Sequence, residues 1–212
     1  MVLEVNDDRI PFSKQYVSLA ILFINILVFV FQLTDPRGFM YIYEAAFVPA
    51  EFFQGEKMWT IFSAMFMHGD LFHIIGNMLF FVVIADNVEY ELGHLAYFIT
   101  YILSGISASL LHGLFALLTP ETAVIPSLGA SGAIFGIIAI YGIIFPNREL
   151  YLIGRFYLRF KAKTFVIIYF VEQIIYAVIS MGVGTGVAYL AHIGGFITGA
   201  IIAFIYKKKD IF

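Results

Sequence analysis

Apolar residues in this chain do not alternate with polar ones; they run on for a helix's length at a time. Six such runs occupy residues 17–31, 60–84, 95–118, 131–145, 164–180 and 187–206, each too long for an ordinary strand. A helix of roughly 20 mostly apolar residues crosses a bilayer. The pattern therefore predicts an all-α, polytopic membrane protein, a six-helix transmembrane bundle in which residues 1–212 form one membrane domain. No internal repeat or low-complexity segment interrupts it.

Composition sharpens this. The chain is 61% hydrophobic and 13% charged, against about 45 to 50% apolar and 25% charged in a soluble domain. With no cysteine, disulfides, thiol catalysis and thiolate metal sites are excluded. The net charge of -3 matters less than where the charges lie. The first 16 residues carry Glu4, Asp7 and Asp8 and lack the basic start and small-residue cleavage site of a secretory signal, so the first span is expected to be retained. An even number of spans puts both termini on one side. With that side cytoplasmic, ten of the 12 Lys and Arg lie inside, leaving Arg37 and Lys57 outside, which is the expected bias. The basic run at 155–163 reads as a topogenic loop at the headgroups, and no nucleic-acid partner is expected. A bare core without a targeting extension suggests a prokaryotic cell membrane.

The longest connection, 32–58, carries Phe39, Tyr41, Tyr43, Phe47, Phe52 and Phe53. Aromatic residues of this kind concentrate at the lipid–water boundary. A long interfacial loop between the first and second helices, on the outer side, is the expectation.

Candidate chemistry centres on Gly129-Ala130-Ser131-Gly132-Ala133-Ile134-Phe135-Gly136. The fourth apolar run is shorter than a full crossing of about 20 residues, so Ser131 is expected below the outer surface. The preceding residues then dip inward as irregular backbone, which membrane depth tolerates only against protein or a water-filled cavity. A serine among glycines becomes a nucleophile when a base reaches it; equally, Gly132-xxx-Gly136 is a common helix-packing device with the serine as interhelical glue. His192 shares a helix face with Gly195 and Gly199 at i, i+3 and i+7. If the two glycine faces meet, serine and imidazole come within hydrogen-bond reach. His73 and Asn77, at i and i+4, could aim two donors at one oxygen beside the Ser131 N–H, as an oxyanion requires, or could bond neighbouring helices. His68, five residues before His73, is read as pointing elsewhere, into a structural hydrogen bond near the outer end.

Metal chemistry fits poorly. The two histidines are separated by four residues with no glutamate between, unlike the H-E-x-x-H of zinc proteases, and no metal or cofactor is expected. The aspartates lie near loops or span ends, and Glu172 is the one acid well inside a span, either a buried polar contact or a proton site. Gly182, Gly184 and Gly186 could let the outer end of the fifth span move, or form a plain turn.

These residues resemble the rhomboid intramembrane serine proteases across essentially the whole chain. The shared motifs are His68 with His73 and Asn77, then Gly129-Ala130-Ser131-Gly132, then Ala191-His192 followed by Gly195 and Gly199. The resemblance implies that Ser131 is the nucleophile and His192 its base, without a third acid, and that His73 and Asn77 line the oxyanion hole. It implies single-span or other transmembrane proteins as substrates within the lipid bilayer, small residues at the cleaved bond and helix-weakening residues beyond it. The chain departs from the family at three points. Trp59-Thr60 stands where a Trp-Arg pair is common, Ala85-xxx-Glu89 replaces a Gly-xxx-Glu pattern, and Phe135 replaces a tyrosine that stacks on the histidine in some members. A catalytically silent, client-binding relative would keep the bundle but lack the serine or histidine. A transporter using Glu172 and the histidines as a proton path would not depend on Ser131.

Overall fold

A computed structural model of the chain describes residues 2–4, 10–153, 157–180 and 187–209. In chain order its elements are β1 (Val2–Glu4), α1 (Tyr16–Gln32), α2 (Met40–Ala45), α3 (Pro49–Phe53), α4 (Thr60–Ser63), α5 (Leu71–Leu92), α6 (His94–Ala116), α7 (Pro120–Ala123), α8 (Ser131–Ile144), β2 (Glu149–Ile153), β3 (Tyr157–Lys161), α9 (Ala162–Ile179) and α10 (Tyr189–Lys209). Among the described residues four helices, α5, α6, α9 and α10, are long and apolar enough to cross a membrane, while α1 and α8 are shorter apolar helices. The chain is an integral membrane protein.

The centre of the structure is α8. A helix apolar on every side belongs inside, and every residue from Gly132 to Gly142 is buried. Its partners are α10, α6, α5 and α9. The contact with α10 is made by backbone: a Cβ on Gly195 would lie 1.8 Å from the Gly132 carbonyl oxygen, and one on Gly199 would lie 2.1 Å from that of Gly136. The two glycine faces expected from the sequence do meet, in the close approach that small residues allow between membrane helices.

Two expectations need correction. The apolar run at 60–84 is not one helix. It contains α4, a 3-10 turn at Ala64–Phe66 and an extended stretch before α5 begins. The cause is local: Asp70 adopts an extended conformation and its Oδ1 accepts the His73 N–H at 2.9 Å, the usual way an aspartate starts a helix. Helix α5 then continues through the polar residues Asp86 and Glu89 to Leu92, where Gly93, at φ +76°, ends it. The second correction is that the fold is not purely α. β1 pairs antiparallel with β2, and β2 with β3, so much of the basic run at 155–163 is strand rather than loop. Leu150 turns inward to 2% exposure and joins the core, while Arg159 pairs with Glu149 on the open face.

The connection at 32–58 contains the short helices α2 and α3. Phe47 and Phe52 are buried, whereas Phe39, Tyr43 and Phe53 are exposed. Lys57 gathers the segment, donating to the Tyr43 carbonyl at 3.1 Å and pairing with Glu51 at 3.3 Å and Glu44 at 3.8 Å. On the opposite face of the bundle Glu89, wholly buried, accepts the N–H groups of Val17 at 2.9 Å and Ser18 at 2.7 Å. These are first-turn donors of α1 with no partner in their own helix. His94 Nδ1 meets the same carboxylate at 2.5 Å.

Gly182, Gly184 and Gly186, together with Asp7, Asp8, Arg9 and Arg155, lie outside the described residues.

Candidate active site

Ser131 is the first residue of α8, so its backbone N–H has no intrahelical acceptor. The chain reaches it along an irregular segment whose polar backbone is met by protein. Ser127 and Phe47 exchange hydrogen bonds at 2.8 and 2.9 Å, and the Gly129 N–H donates to Ala64 at 2.9 Å. These polar groups of the irregular backbone are thereby satisfied. Gly129 has φ +129°, a conformation open to glycine alone at little cost.

Across the glycine contact, His192 Nε2 lies 2.9 Å from Ser131 Oγ. The Phe135 ring stacks on the imidazole at 4.3 Å between centroids and 9° between planes. Tyr169 stacks on the far side of Phe135 at 4.9 Å, and Phe80 on Tyr169 at 5.5 Å. Phe135 thus supplies the ring contact to the imidazole without a hydroxyl.

His73 approaches from α5. A Cβ on Gly129 would sit 2.9 Å from His73 Nε2 and 3.7 Å from Ser131 Oγ, so the ring nitrogen and the hydroxyl flank one small space that the missing side chain leaves open. His73 Nδ1 faces the Gly69 N–H at 3.4 Å. A nitrogen that accepts there leaves Nε2 as the one carrying hydrogen, directed at the same space. One turn on, the Asn77 Nδ2 is buried with no hydrogen-bond partner among the described residues. A buried amide donor without an acceptor is costly, which fits a group whose acceptor arrives with a ligand.

His68 does not behave as expected. Its ring meets His73 edge-on at 5.1 Å and is 1% exposed. Neither ring nitrogen has a hydrogen-bond partner of ordinary geometry among the described residues, so the anticipated side-chain bond is absent there. Its backbone is what is anchored: Gln32, at the end of α1, donates to the His68 carbonyl at 2.9 Å and accepts its N–H at 3.1 Å. A cavity of about 230 Å³ opens beside it, bordered by Gln32, Asp35, Tyr41 and Asp70, and does not reach Ser131. A smaller one of about 30 Å³ does, lined by Ala64, Met65, Gly105, Ala108, Ser127 and Gly129 among others.

Two side chains escaped sequence reasoning. Gln32 is one; Gln173 is the other, 4% exposed, with Oε1 2.7 Å from His192 Nδ1. The signal was available in the register of α9, where Val166, Gln173 and Ala177 recur at i, i+7 and i+11 and form the buried stripe. Glu172, one position off that stripe, is exposed and is not a buried contact.

Comparison with known proteins identifies the family. A family profile described as Rhomboid domain matches residues 55–209. RHOMBOID-like protein 4 of Arabidopsis thaliana is 32% identical over 153 residues, which is 72% of this chain and 35% of the relative. RHOMBOID-like protein 1 of the same plant is 30% identical over 151 residues, 71% of this chain and 35% of the relative. Rhomboid-like protease 3 of Toxoplasma gondii is 29% identical over 169 residues, 78% of this chain and 57% of the relative. This chain therefore spans about a third of the length of the two plant proteins and over half that of the third. With a matching profile across most of its length, the chain belongs to the rhomboid family of membrane proteins, a family that includes intramembrane proteases.

Proposed function

We propose that this chain is an intramembrane serine endopeptidase that hydrolyses peptide bonds within or beside the transmembrane segments of other membrane proteins. The observation that carries the reading is the 2.9 Å approach of His192 Nε2 to Ser131 Oγ, with His73 beside the same space and Asn77 one turn further along α5. In this mechanism His192 accepts the Ser131 hydroxyl proton as Oγ attacks the scissile carbonyl. The negative charge that develops on the carbonyl oxygen is met by the Ser131 N–H, His73 Nε2–H and Asn77 Nδ2, donors of a kind each worth about 2.7 to 4 kcal/mol of barrier where measured. His192 then protonates the leaving amine, and water, activated by the same imidazole, releases the acyl group. The space beside Ser131, about 30 Å³, is small and suits a small side chain at the cleaved bond.

The substrates are single-span or other transmembrane proteins, met in the bilayer by six helices of which α1 and α8 are the short ones. Both termini face the cytoplasm, as the distribution of Lys and Arg favours, and cleavage falls in the outer half of the substrate segment. The name of Rhomboid-like protease 3 is in keeping with this activity.

The test is cleavage of a labelled single-span protein by the full chain in liposomes. Ser131→Ala and His192→Ala are each expected to lower the rate by on the order of a thousandfold or more while remaining folded. Substrate that is bound but never cut by the unaltered chain would replace this reading by a client-binding one, and cutting that survives loss of Ser131 would overturn the serine mechanism.

A further inference from the structure

The mechanism above gives Gln173 no task, yet its position is a demanding one. An amide buried in the interior of a span is costly unless it is hydrogen-bonded, and Gln173 sits on the inward stripe of α9 at 4% exposure. Its Oε1 lies 2.7 Å from His192 Nδ1. An amide oxygen can only accept, so the hydrogen of that bond belongs to Nδ1. A neutral imidazole with hydrogen on Nδ1 has its lone pair on Nε2, the nitrogen that faces Ser131 Oγ at 2.9 Å.

We infer that Gln173 is a positioning residue of the reaction centre, a neutral third member delivered by α9 that fixes His192 in the one tautomer able to take the serine proton. The inference rests on the hydrolytic reading for its consequence but not for its geometry. Two devices hold the ring: Phe135 sets its plane by stacking, and Gln173 sets its rotation about that plane and the nitrogen that carries hydrogen. His73 on α5 holds hydrogen at the opposite nitrogen, because its Nδ1 is the one that accepts. The two histidines thus serve as base and donor through opposite tautomers.

The charge environment shows what a neutral partner means. Among the described residues, the titratable side chains acting on His192 are His73 from α5 and His112 from α6. α8 contributes the Ser131 hydroxyl and the Phe135 ring, α9 contributes Gln173, and Tyr189 on its own helix meets the ring edge-on at 6.3 Å. Glu172, the adjacent acid on α9, is exposed. The imidazolium formed during turnover is met by the Gln173 amide dipole in place of a carboxylate.

The test compares Gln173→Leu and Gln173→Glu in the full chain. Leucine removes the acceptor; kcat is expected to fall roughly 10- to 100-fold with KM within about twofold, and labelling of Ser131 by a fluorophosphonate to slow by the same factor. Glutamate keeps the acceptor and adds charge, so it is expected to retain most of the activity lost in Gln173→Leu and to move the acid limb of the pH–rate profile to higher pH. A folded Gln173→Leu with unaltered kcat, or a Gln173→Glu as impaired as Gln173→Leu, would overturn the assignment. The ¹⁵N spectrum of histidine-labelled protein gives a second readout that needs no turnover. The Nδ1–H form of His192 is expected in the unaltered chain, and the Nε2–H form there would refute the role even if cleavage proceeds. Should the chain prove not to cleave at all while that tautomer is present, the hydrolytic reading fails and the positioning contact stands.

Discussion

His68 is enclosed by protein in the turn before α5, outside the spanning helices, and its electrostatics follow from that place. Burial first, and then the nearby His73, push its imidazole down to about 4, against the opposing pull of the Phe66 carbonyl and Asp70. An unfolded chain takes up this proton near the ordinary value of 6.5, so between those limits the unfolded state binds more protons than the folded one. The sign is therefore that of a group depressed on folding. Stability is full above about pH 6.5 and declines as pH falls toward 4, by up to about 3 kcal/mol. Unfolding midpoints in micelles from pH 7 to 4 should show this slope in the unaltered chain and a flatter one in His68→Asn; parallel curves would mean that the ring is not held neutral.

Among the elements, the contact of α8 with α10 has the least latitude. Gly199→Ala would place a methyl 2.1 Å from the Gly136 carbonyl oxygen, and backbone cannot retreat as a flexible side chain does. A cost of about 3 kcal/mol, the upper end for overpacking, is expected, with loss of Ser131 labelling because the proposed dyad is carried on these two helices. Gly76→Ala is the control. It lies within α5 with nothing within 4 Å of the added carbon and should stabilise by up to about 1 kcal/mol. Thermal unfolding of the two variants side by side decides the matter, and equal effects would argue against the backbone contact. The same elements show how far the sequence could be read. The glycine spacing at 132, 136, 195 and 199 announced which faces meet, because glycine leaves a visible gap in an apolar pattern. The break before α5 was hidden, since hydropathy averages over Gly69 and Asp70 while the aspartate's side-chain bond to a backbone N–H interrupts the helix. The strands at 149–153 and 157–161 were hidden for a related reason: charge counts describe side and topology, whereas pairing with residues 2–4 depends on partners far away in sequence. Gln173 was overshadowed by the charged Glu172 beside it, although the register of α9 separates the two.

On the scale of the whole molecule, the absence of cysteine from the sequence offers a blank background for mapping which side each segment faces. Glu56→Cys and Lys208→Cys, both at exposed positions, are expected to differ toward a membrane-impermeant maleimide in intact cells, the first reacting and the second protected. Reaction at both would reverse the proposed orientation of the C-terminal helix. The long connection between α1 and α4 is expected to depend on Lys57, which ties Tyr43, Glu44 and Glu51 together three residues before Thr60, near where the family often places an arginine. Lys57→Ala should raise proteolytic nicking between α2 and α3 with little change in global stability, since partly exposed ion pairs contribute about 0 to 1 kcal/mol each. Unaltered nicking would show that the segment holds without it. The backbone contact between α8 and α10 also bears on engineering. Ser131 and His192 ride on two rods that touch through backbone at the glycines, so the spacing of the two helices cannot be retuned by repacking side chains between them. A search for new selectivity by mutagenesis is therefore best placed off this contact, at side chains that line the small space beside Ser131, such as Met65 and Ser109, with His73, Asn77 and Gln173 left unaltered.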